Sequence, residues 1–398
     1  MTWGTITDER IAEAEALIDV PLRRDRMQWI ETATRDAIRH FAWGIGCNNP
    51  LWLDRDYATR SPYGTLVAPP CILYAVDGTV VAPKLSGVQW LYAGTAFTWF
   101  EPILLDDTFR VDARLIRQER KSGRRFPDWV LQTGEIKYFN QHNRVAGIAI
   151  GRCARTPRGD SLDGEKNAEN RKVSEPHRYN PEEIAEIERQ ILAESRRGDT
   201  PLYWEDVEPG EKVPQVVRGP LSVTDIMAWY AGQQGATHYG GVHGDALRYR
   251  QRHADYHLNK QTGARESAGR GHLETSTGRD VGMGGAYDIG PQRIAWCQDM
   301  LTNWIGDHGF LHTLDVSVRK PNLVGDTLWW TGEVASKAMC KGYGIVELTV
   351  RAKNQNDALL ADGTASVVLP LRGKGQIGFP LPSPRSKFSA TATSRVSL

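Results

Sequence analysis

The sequence predicts an α+β fold made of two similar units, each an antiparallel sheet wrapped around a buried helix. Two observations support this prediction. The order of a helix, a glycine-containing loop, an apolar helix and then four strands occurs twice along the 398 residues. Short motifs also recur in the same order in both halves. An apolar helix that precedes a run of strands is buried most simply when the sheet curls around it.

Composition places the chain among ordinary globular proteins and excludes several classes. Hydrophobic residues make up 40% and charged residues 24% of the sequence, and the net charge is +1. These values give no indication of a nucleic-acid partner. No apolar stretch reaches the roughly 18 residues that a membrane span needs, so we expect no membrane association. The five scattered cysteines lack a Cys-x-x-Cys pair, which favours a reducing compartment such as the cytoplasm.

The first unit is predicted to span residues 1–155. A helix is expected over residues 7–19, capped by Thr7 or Asp8, and a second over residues 34–43 that ends in a turn-rich loop. Ala68-Pro69-Pro70 then opens an apolar run, which we interpret as a buried helix over residues 71–76. Alternating and β-branched patterns predict strands at residues 93–100, 108–118, 129–140 and 145–154.

A linker is predicted over residues 156–214. Its first part, to residue 180, is polar and lacks hydrophobic periodicity. Pro181 starts a charged helix that extends to about Arg197, and its acidic start and basic end suit the helix dipole. Residues 203–220 show no regular pattern and are predicted to be irregular.

The second unit is predicted to span residues 215–372. It repeats the first: a helix from Leu221 through Tyr230, a glycine-rich loop, and a buried helix over residues 292–305 that Tyr287-Asp288-Ile289-Gly290-Pro291 opens. Strands are expected at residues 310–319, 327–336, 345–352 and 363–369. Residues 373–398 are rich in Pro, Ser, Lys and Arg, which predicts a poorly ordered tail.

Three pairs of motifs support duplication. They are Phe41-Ala42 and Gly46 with Tyr230-Ala231 and Gly235, Pro102 and Asp107-Thr108 with Pro321 and Asp326-Thr327, and Asn140-Gln141 with Asn354-Gln355. Their separations are 189, 219 and 214 positions. The separation increases from 189 to 219 positions between the first and the second pair, which predicts an insertion in the second unit. We place this insertion at residues 247–284, which have little apolar patterning. Because internal repeats change which fold a sequence predicts, the duplication is a main reason to expect two similar units.

The glycine-rich loop after Tyr230 is the main candidate for a functional site. It presents His238, His243 and Asp245 within eight positions. An imidazole beside a carboxylate is what acid–base chemistry at neutral pH requires. The other interpretation is a polar surface loop, in which Asp245 caps a helix that starts at Ala246.

Two further patterns allow more than one interpretation. Arg248, Arg250 and Arg252 follow the loop and are suited to bind phosphates, or they form an exposed basic helix face. His253 and His257 have the spacing of a helical metal pair, but no third ligand follows at a clear spacing. We therefore expect no metal site.

Residues 41–52, Phe-Ala-Trp-Gly-Ile-Gly-Cys-Asn-Asn-Pro-Leu-Trp, resemble the motif of the MaoC-like acyl dehydratases, the (R)-specific enoyl-CoA hydratases. That motif is an aromatic residue, then Gly-Asp-x-Asn-Pro, an aliphatic residue and His. Cys47 stands where the family has its catalytic Asp, and Trp52 where it has its His. The first half thus resembles a dehydratase-derived domain, of the FAS1-like dehydratase type, that has lost its chemistry. The resemblance implies a double hot-dog fold.

In the second half, His243 followed by Asp245 resembles the family's His-x-Asp, although His238 stands where the motif Asp should lie. The resemblance implies that His243 is the base, oriented by Asp245 or Asp288, with His238 and Tyr239 as second donors. It also implies that the N–H of Gly290 holds the thioester oxygen. Gly290 is alternatively an ordinary helix-start glycine before Pro291.

The implied reaction is reversible hydration of a 2-enoyl thioester to a 3-hydroxyacyl thioester. Acyl-CoA is then the substrate, no separate cofactor is needed, and a homodimer is expected. Trp90, Trp99 and Trp129 in the inactive first half suggest room for a bulky acyl group, as in lipid or aromatic acid metabolism. Because neither half has an intact Asp–His motif, the alternative is a non-catalytic acyl-CoA-binding protein, or a subunit whose site a partner completes.

Overall fold

The computed structural model describes residues 4–24, 28–123, 126–157, 176–233, 244–251, 258–259 and 261–384. Their α-helices are α1 (Asp8–Glu15), α2 (Arg35–Gly44), α3 (Pro50–Leu53), α4 (Arg55–Arg60), α5 (Leu73–Val76), α6 (Pro181–Leu192), α7 (Val223–Gly232), α8 (Gly244–Gln251), α9 (Thr275–Asp280) and α10 (Gly290–Ile305). Short 3-10 helices occur at Pro70–Ile72, Trp204–Asp206 and Ala268–His272. Within these ranges, no helix has the length and apolar character to cross a membrane.

The strands of the described residues form one continuous antiparallel sheet. They are β1 (Pro21–Leu22), β2 (Gln89–Trp99), β3 (Arg110–Lys121), β4 (Trp129–Phe139), β5 (Val145–Thr156), β6 (Lys212–Arg218), β7 (Phe310–Val318), β8 (Leu328–Cys340), β9 (Tyr343–Asn354) and β10 (Leu359–Leu369). Their order is β1-β3-β4-β5-β2-β7-β10-β9-β8-β6. The predicted strands of both halves are all present, with ends shifted by a few residues.

The sheet consists of two equivalent halves that meet at its centre. Strands β2 and β7 pair antiparallel there, with Phe97 opposite Leu314 and Thr98 opposite Thr313. Reading outward from this seam, the first half runs β2, β5, β4, β3 and the second runs β7, β10, β9, β8. The same strand order on both sides of the seam is the double hot-dog architecture, and it confirms the predicted fold class.

The turns that carry two of the predicted repeat motifs have the same hydrogen bonds in both halves. In the first, the Gln141 side-chain amide donates to Asp107 at 2.6 Å. In the second, Gln355 donates to Asp326 at 2.6 Å. In each half the residue after the aspartate returns its backbone N–H to the glutamine oxygen. Two independent halves would not reproduce this network by chance, which supports duplication of one unit.

The helices before the glycine loops also correspond, but with a slightly different offset. Thr34 caps α2 and Ser222 caps α7, each through its side-chain oxygen. Gly44 and Gly232 end the two helices and lie against each other. The caps and the glycines are separated by 188 positions, so the predicted alignment of Phe41 with Tyr230 is wrong by one residue.

The two buried helices differ in length. In the second half, α10 has 16 residues, almost all of them buried, and begins at Gly290, two residues before the predicted start. In the first half, a 3-10 turn leads into α5, which ends at Val76. The core therefore centres on α10, which packs against β6 and β7 as well as against β2 of the first half.

The region predicted as a linker is structured where it is described. The side chain of Gln190, on α6, accepts a hydrogen bond from Trp329 at 2.7 Å. Strand β6 lies in the segment predicted to be irregular and pairs with β8 at the edge of the sheet. Pro214 and a bulge between Val213 and Val216 interrupt its alternation, which is tolerated on an edge strand and hides the pattern in the sequence. The end of the first unit at residue 155 and the start of the second at residue 215 stay predictions.

The first part of the segment predicted to be a poorly ordered tail packs onto the folded unit. The ring of Phe379 lies 4.8 Å from that of Phe310. The side chain of Leu381 is 4% exposed, and its N–H donates to the carbonyl of Phe100 at 2.7 Å. Hydrophobic residues spaced among prolines and glycines show neither helix nor strand periodicity, so this packing could not be predicted from the sequence. Residues 385–398 lie outside the described part.

Candidate active site

Among the described residues, the start of α10 has a backbone donor without an acceptor. Ile289 occupies the N-cap position and provides no side-chain cap, and Pro291 has no N–H. The N–H of Gly290 donates to no acceptor in the described part of the chain. Free N–H groups at a helix start carry partial positive charge and bind oxyanions. The first turn of α10 is therefore able to polarise a carbonyl oxygen.

A tyrosine of the first half packs directly on this glycine. A β-carbon on residue 290 would lie 2.3 Å from Cδ1 of Tyr92, so no other residue fits without movement of that ring. The Tyr92 hydroxyl is hydrogen-bonded to the Tyr74 hydroxyl at 2.9 Å and to Thr95. Burial raises the pKa of Tyr92. The first half thus supplies one wall of the site at the start of the helix in the second half.

His272 lies beside the same helix start and was not singled out from the sequence. Its Nδ1 lies 3.0 Å from the carbonyl oxygen of Tyr287, and its ring centroid lies 4.1 Å from that of Tyr287. A carbonyl only accepts, so Nδ1 carries the proton and Nε2 carries the lone pair of the neutral ring. Burial lowers the pKa of His272. The site therefore borders a neutral imidazole that belongs to the predicted insertion.

Asp288, predicted to orient a histidine, has another partner. Arg293 donates to both of its carboxylate oxygens, at 2.8 and 2.5 Å. Both side chains are only 1% exposed. The N–H of Asn322 also donates to Asp288, at 3.3 Å, so Asp288 anchors the first turn of α10; its hydrogen bonds to described residues include none to a histidine.

Two polar side chains of α8 have partners within the same helix. Asp245 is 81% exposed and pairs with Arg248 at 2.5 Å within the helix. Arg250 is buried and donates to the carbonyl of Ala246 at 3.2 Å. It is therefore not part of an exposed basic helix face. His238 and His243, together with Tyr239 and Arg252, lie outside the described residues.

The corresponding helix start in the first half has no free donor. Pro70 begins the 3-10 turn and lacks an N–H. The N–H of Cys71 donates to the Gln298 side chain at 3.2 Å, and that of Ile72 donates to Pro69 at 2.8 Å. Nothing in this turn is left to bind an oxyanion.

The two substituted motif positions of the first half are also chemically inert. Trp52, at the position of the motif histidine, is buried. Burial raises the pKa of the Cys47 thiol, and the charge of Asp299 beside it adds to the rise. A buried thiol with a raised pKa is a poor base and a poor nucleophile. The first half therefore lacks the groups for the chemistry that its motif resembles.

A small, partly open pocket lies beside Pro70. Trp52 and Trp99 line it together with Tyr63 and Asp307. Of the tryptophans that suggested room for a bulky group, only Trp99 contributes, because Trp129 belongs to a separate small core and Trp90 is exposed.

The comparisons with known proteins agree with this architecture. Residues 26–147 match the family model described as the FAS1-like dehydratase domain region. A solved MaoC-like dehydratase superposes with a TM-score of 0.60 at 16% identity, over 90% of this chain and 99% of that one. A MaoC domain dehydratase of Chloroflexus aurantiacus gives 0.53 at 13% identity, over 86% and 93%. No curated protein matches the sequence.

The strand order and the paired halves define a double hot-dog protein, in which the N–H at the start of α10 has no acceptor among the described residues. More particularly, the chain has the fold of the MaoC-like dehydratases and carries a FAS1-like dehydratase region in its first half.

Proposed function

We propose that the second half catalyses the reversible hydration of a trans-2-enoyl thioester to a 3-hydroxyacyl thioester, which makes the chain a hydro-lyase. The observation that carries this proposal is the N–H of Gly290 at the start of the 16-residue buried helix, which has no acceptor within the ranges that the structure describes. The dehydratase family model that matches the first half supports the same reaction class.

In the proposed reaction, the thioester oxygen accepts a hydrogen bond from the N–H of Gly290. A base removes a proton from water, the water oxygen bonds to C3 of the enoyl group, and C2 takes up a proton. Negative charge develops on the thioester oxygen before C2 is protonated. A donor that is already positioned stabilises this charge without reorganisation, and removing one such donor typically slows a reaction by roughly 10² to 10³.

We propose His243 as the base, with Asp245 as the partner that orients it and His238 or Tyr239 as a second donor. An imidazole with a fixed tautomer is suited to this role at neutral pH. Asp288 stays the other candidate for this orienting role, although Arg293 already donates to both of its oxygens.

His272 is a second candidate for the base. Burial lowers its pKa, and its Nδ1 is held by a backbone carbonyl near Gly290. The His243 and His272 variants therefore have to be compared directly, since the loss of the base removes most of the turnover.

We propose coenzyme A as the carrier and a bulky acyl group as the substrate. The candidates for the CoA phosphates are Arg248, whose guanidinium is exposed, and Arg252, because a guanidinium binds phosphate through two hydrogen bonds. Tyr92 of the first half borders Gly290, so an acyl chain that leaves the site meets first-half residues. Faster turnover of crotonyl-CoA than of ring-bearing enoyl-CoA would argue against a bulky substrate. We also propose that the chain forms a homodimer in the cytoplasm.

One observation favours the alternative of a non-catalytic acyl-CoA-binding protein or a subunit that needs a partner. The carboxylates predicted to serve the site each pair with an arginine, Asp288 with Arg293 and Asp245 with Arg248. Within the described ranges, no carboxylate is hydrogen-bonded to the His272 ring.

The experiment is to follow the loss of enoyl absorbance with purified chain and trans-2-enoyl-CoA substrates of increasing size. His243→Ala and His272→Ala are compared with His142→Ala, which removes an exposed histidine of a first-half turn. If the wild type turns over the substrate and either His243→Ala or His272→Ala alone abolishes turnover, the result supports the hydratase and identifies the base. Tight acyl-CoA binding without turnover in the wild type supports the alternative.

A further inference from the structure

The two helix starts occupy equivalent places in the two halves. In each half, the residue two positions before the helix start donates its N–H to a carbonyl in the connection that follows β2 or β7. The acceptor is Ile103, at 2.8 Å, before Pro70, and Asn322, at 2.9 Å, before Gly290. The N–H two residues after each acceptor returns to the segment before the helix start, at 2.9 Å in both halves. Ile103 and Asn322 are therefore equivalent residues of the duplicated unit.

The strands that face these helix starts are equivalent too. Strand β2 has a bulge directly after Tyr92, and β7 has one directly after Leu311. A bulge changes the direction in which a strand side chain points. Tyr92 packs on Gly290 of the other half, and Leu311 lines the pocket beside Pro70 of the other half. The pocket beside Pro70 and the site at Gly290 are thus built from corresponding residues.

This correspondence shows where Asn322 lies relative to the site. Ile103 lines the pocket beside Pro70, although it is only 3% exposed. Asn322 is buried in the same way, at 0% exposure. By correspondence, Asn322 takes the place of Ile103 on the wall beside Gly290.

The carboxamide of Asn322 is unpaired. Its Nδ2 and its Oδ1 are both buried, and neither has a hydrogen-bond partner among the described residues. Buried polar groups without a partner are costly and rare in native proteins. Because the equivalent residue of the first half is the apolar Ile103, the fold itself does not require an amide at this position. An unpaired amide that the fold does not require indicates a role in binding.

A hydroxyl group matches this carboxamide. The amide donates a hydrogen bond through Nδ2 and accepts one through Oδ1, and a hydroxyl group accepts one and donates one. The proposed reaction creates such a group close by. Water adds at C3, which is two bonds from the carbonyl carbon whose oxygen Gly290 binds. The saturated and the enoyl thioesters have no hydroxyl group there.

We propose that Asn322 is a substrate-binding residue of the second half, whose carboxamide holds the hydroxyl group at C3 of the 3-hydroxyacyl thioester. This inference rests on the proposed hydratase function, since that function places the thioester carbonyl at Gly290. The 3-hydroxyacyl thioester then binds more tightly than a saturated thioester of the same chain length.

The test compares the wild type with Asn322→Ile, which gives the second half the residue of the first. Equilibrium dialysis of the full chain measures the binding of racemic 3-hydroxyoctanoyl-CoA and of octanoyl-CoA, which differ only in the hydroxyl group at C3. Chromatography separates both from any enoyl-CoA that forms. We expect the wild type to bind the hydroxy compound roughly 10- to 30-fold more tightly, the usual effect of two neutral hydrogen bonds. The variant should bind the two compounds about equally.

Urea denaturation separates this role from a structural one. Because Asn322→Ile removes an unpaired buried amide, its urea midpoint should equal or exceed that of the wild type. The control is Gln132→Leu, at a buried amide that donates to Pro83 at 3.1 Å and to Gln118 at 2.7 Å. The control should lower the urea midpoint and leave the preference for the hydroxy compound unchanged. Asn322→Ala, which adds no bulk, takes the place of Asn322→Ile if that variant does not fold.

Three results would overturn the proposal: equal binding of the two compounds by the wild type, no binding of either, or an unchanged preference in the Asn322 variant. Enoyl-CoA turnover is measured on the same samples. Turnover without the preference rejects this proposal alone. A preference that depends on Asn322, without turnover, rejects the hydratase and leaves the binding role of Asn322.

Discussion

Gly44 of the first half and Gly232 of the second half are in direct contact. A β-carbon on either residue would lie 2.8 Å from the Cα of the other. Each also meets a carbonyl of the opposite helix, of Ala228 and His40 respectively, at 2.9 and 2.8 Å. The contact is reciprocal, as expected where two copies of one unit pack about an approximate twofold axis. The two halves are therefore locked together at helices as well as at the central strand pair.

Replacing Gly44 with alanine should destabilise the protein. The new methyl group would collide with backbone atoms of α7, which yield only if the helices separate, and overpacking of this kind typically costs about 1–3 kcal/mol. Urea denaturation measures the free energy of unfolding. Gly78→Ala is the matched control, because a β-carbon there meets no atom within 4 Å. Equal stability of the two variants would contradict the contact.

Replacing Asp288 with asparagine should destabilise the protein far more than replacing Asp245. The first change leaves the buried charge of Arg293 unpaired, which typically costs about 3–5 kcal/mol. The second breaks an exposed pair, typically worth less than about 1 kcal/mol. Denaturant titration of Asp288→Asn and Asp245→Asn tests this order. A loss of turnover in Asp288→Asn with unchanged stability would instead favour a role in catalysis.

The stability should depend on pH through the half-buried His272 and the buried His312. Burial lowers the pKa of His272 and of His312 below the ordinary value of 6.5. Between each lowered pKa and 6.5 the unfolded chain binds more protons than the folded one, so the free energy of unfolding falls as pH falls through that window. Asp299 and Asp307 have pKa values raised by burial and act in the opposite direction.

The histidine contribution is therefore measured as a difference between variants and the wild type. His272→Asn and His312→Asn keep a side-chain donor toward the same carbonyl but do not titrate. Each should flatten the pH dependence of unfolding between about pH 7 and pH 5. A slope identical to that of the wild type in both variants would show that neither ring is buried in its neutral form.

The docked C-terminal segment should contribute to stability. Leu381 is buried among core residues, and truncation of a buried leucine typically costs about 2–5 kcal/mol. Leu381→Ala should therefore lower the free energy of unfolding clearly, whereas Leu192→Ala, at a side chain that is 85% exposed, should leave it almost unchanged. If both variants unfold alike, the segment is not part of the cooperative unit.

Much of the fold could be predicted because its signals are local. Alternating residues marked the strands of both halves, and apolar runs preceded by proline marked the two buried helices. The repeat was visible in turns that specific side chains hold in shape. Gln141 and Gln355 each bond to an aspartate and to the backbone N–H of the residue that follows the aspartate. Strand β6 was missed because its pattern is broken by Pro214.

The site was harder to predict because its partners are distant in sequence. The spacing of Asp288 and Arg293 is not that of a helical pair, since the aspartate precedes the helix, so nothing local revealed their ion pair. The contact of Tyr92 with Gly290 crosses between the halves. The approach of His272 to Tyr287 depends on how the insertion folds back, which no periodicity records. His243 and His238 stay predictions.

The most direct test of the account compares two substitutions at Gly290 in the Tyr92→Ala background, which removes the ring that would collide with a larger residue. Gly290→Ala keeps the N–H and Gly290→Pro removes it, while proline is well tolerated at a first helical position. Turnover of a trans-2-enoyl-CoA is measured for both. The account predicts that the proline variant is slower than the alanine variant by roughly 10² to 10³. Equal turnover in the two variants would show that the N–H of Gly290 does not hold the thioester oxygen.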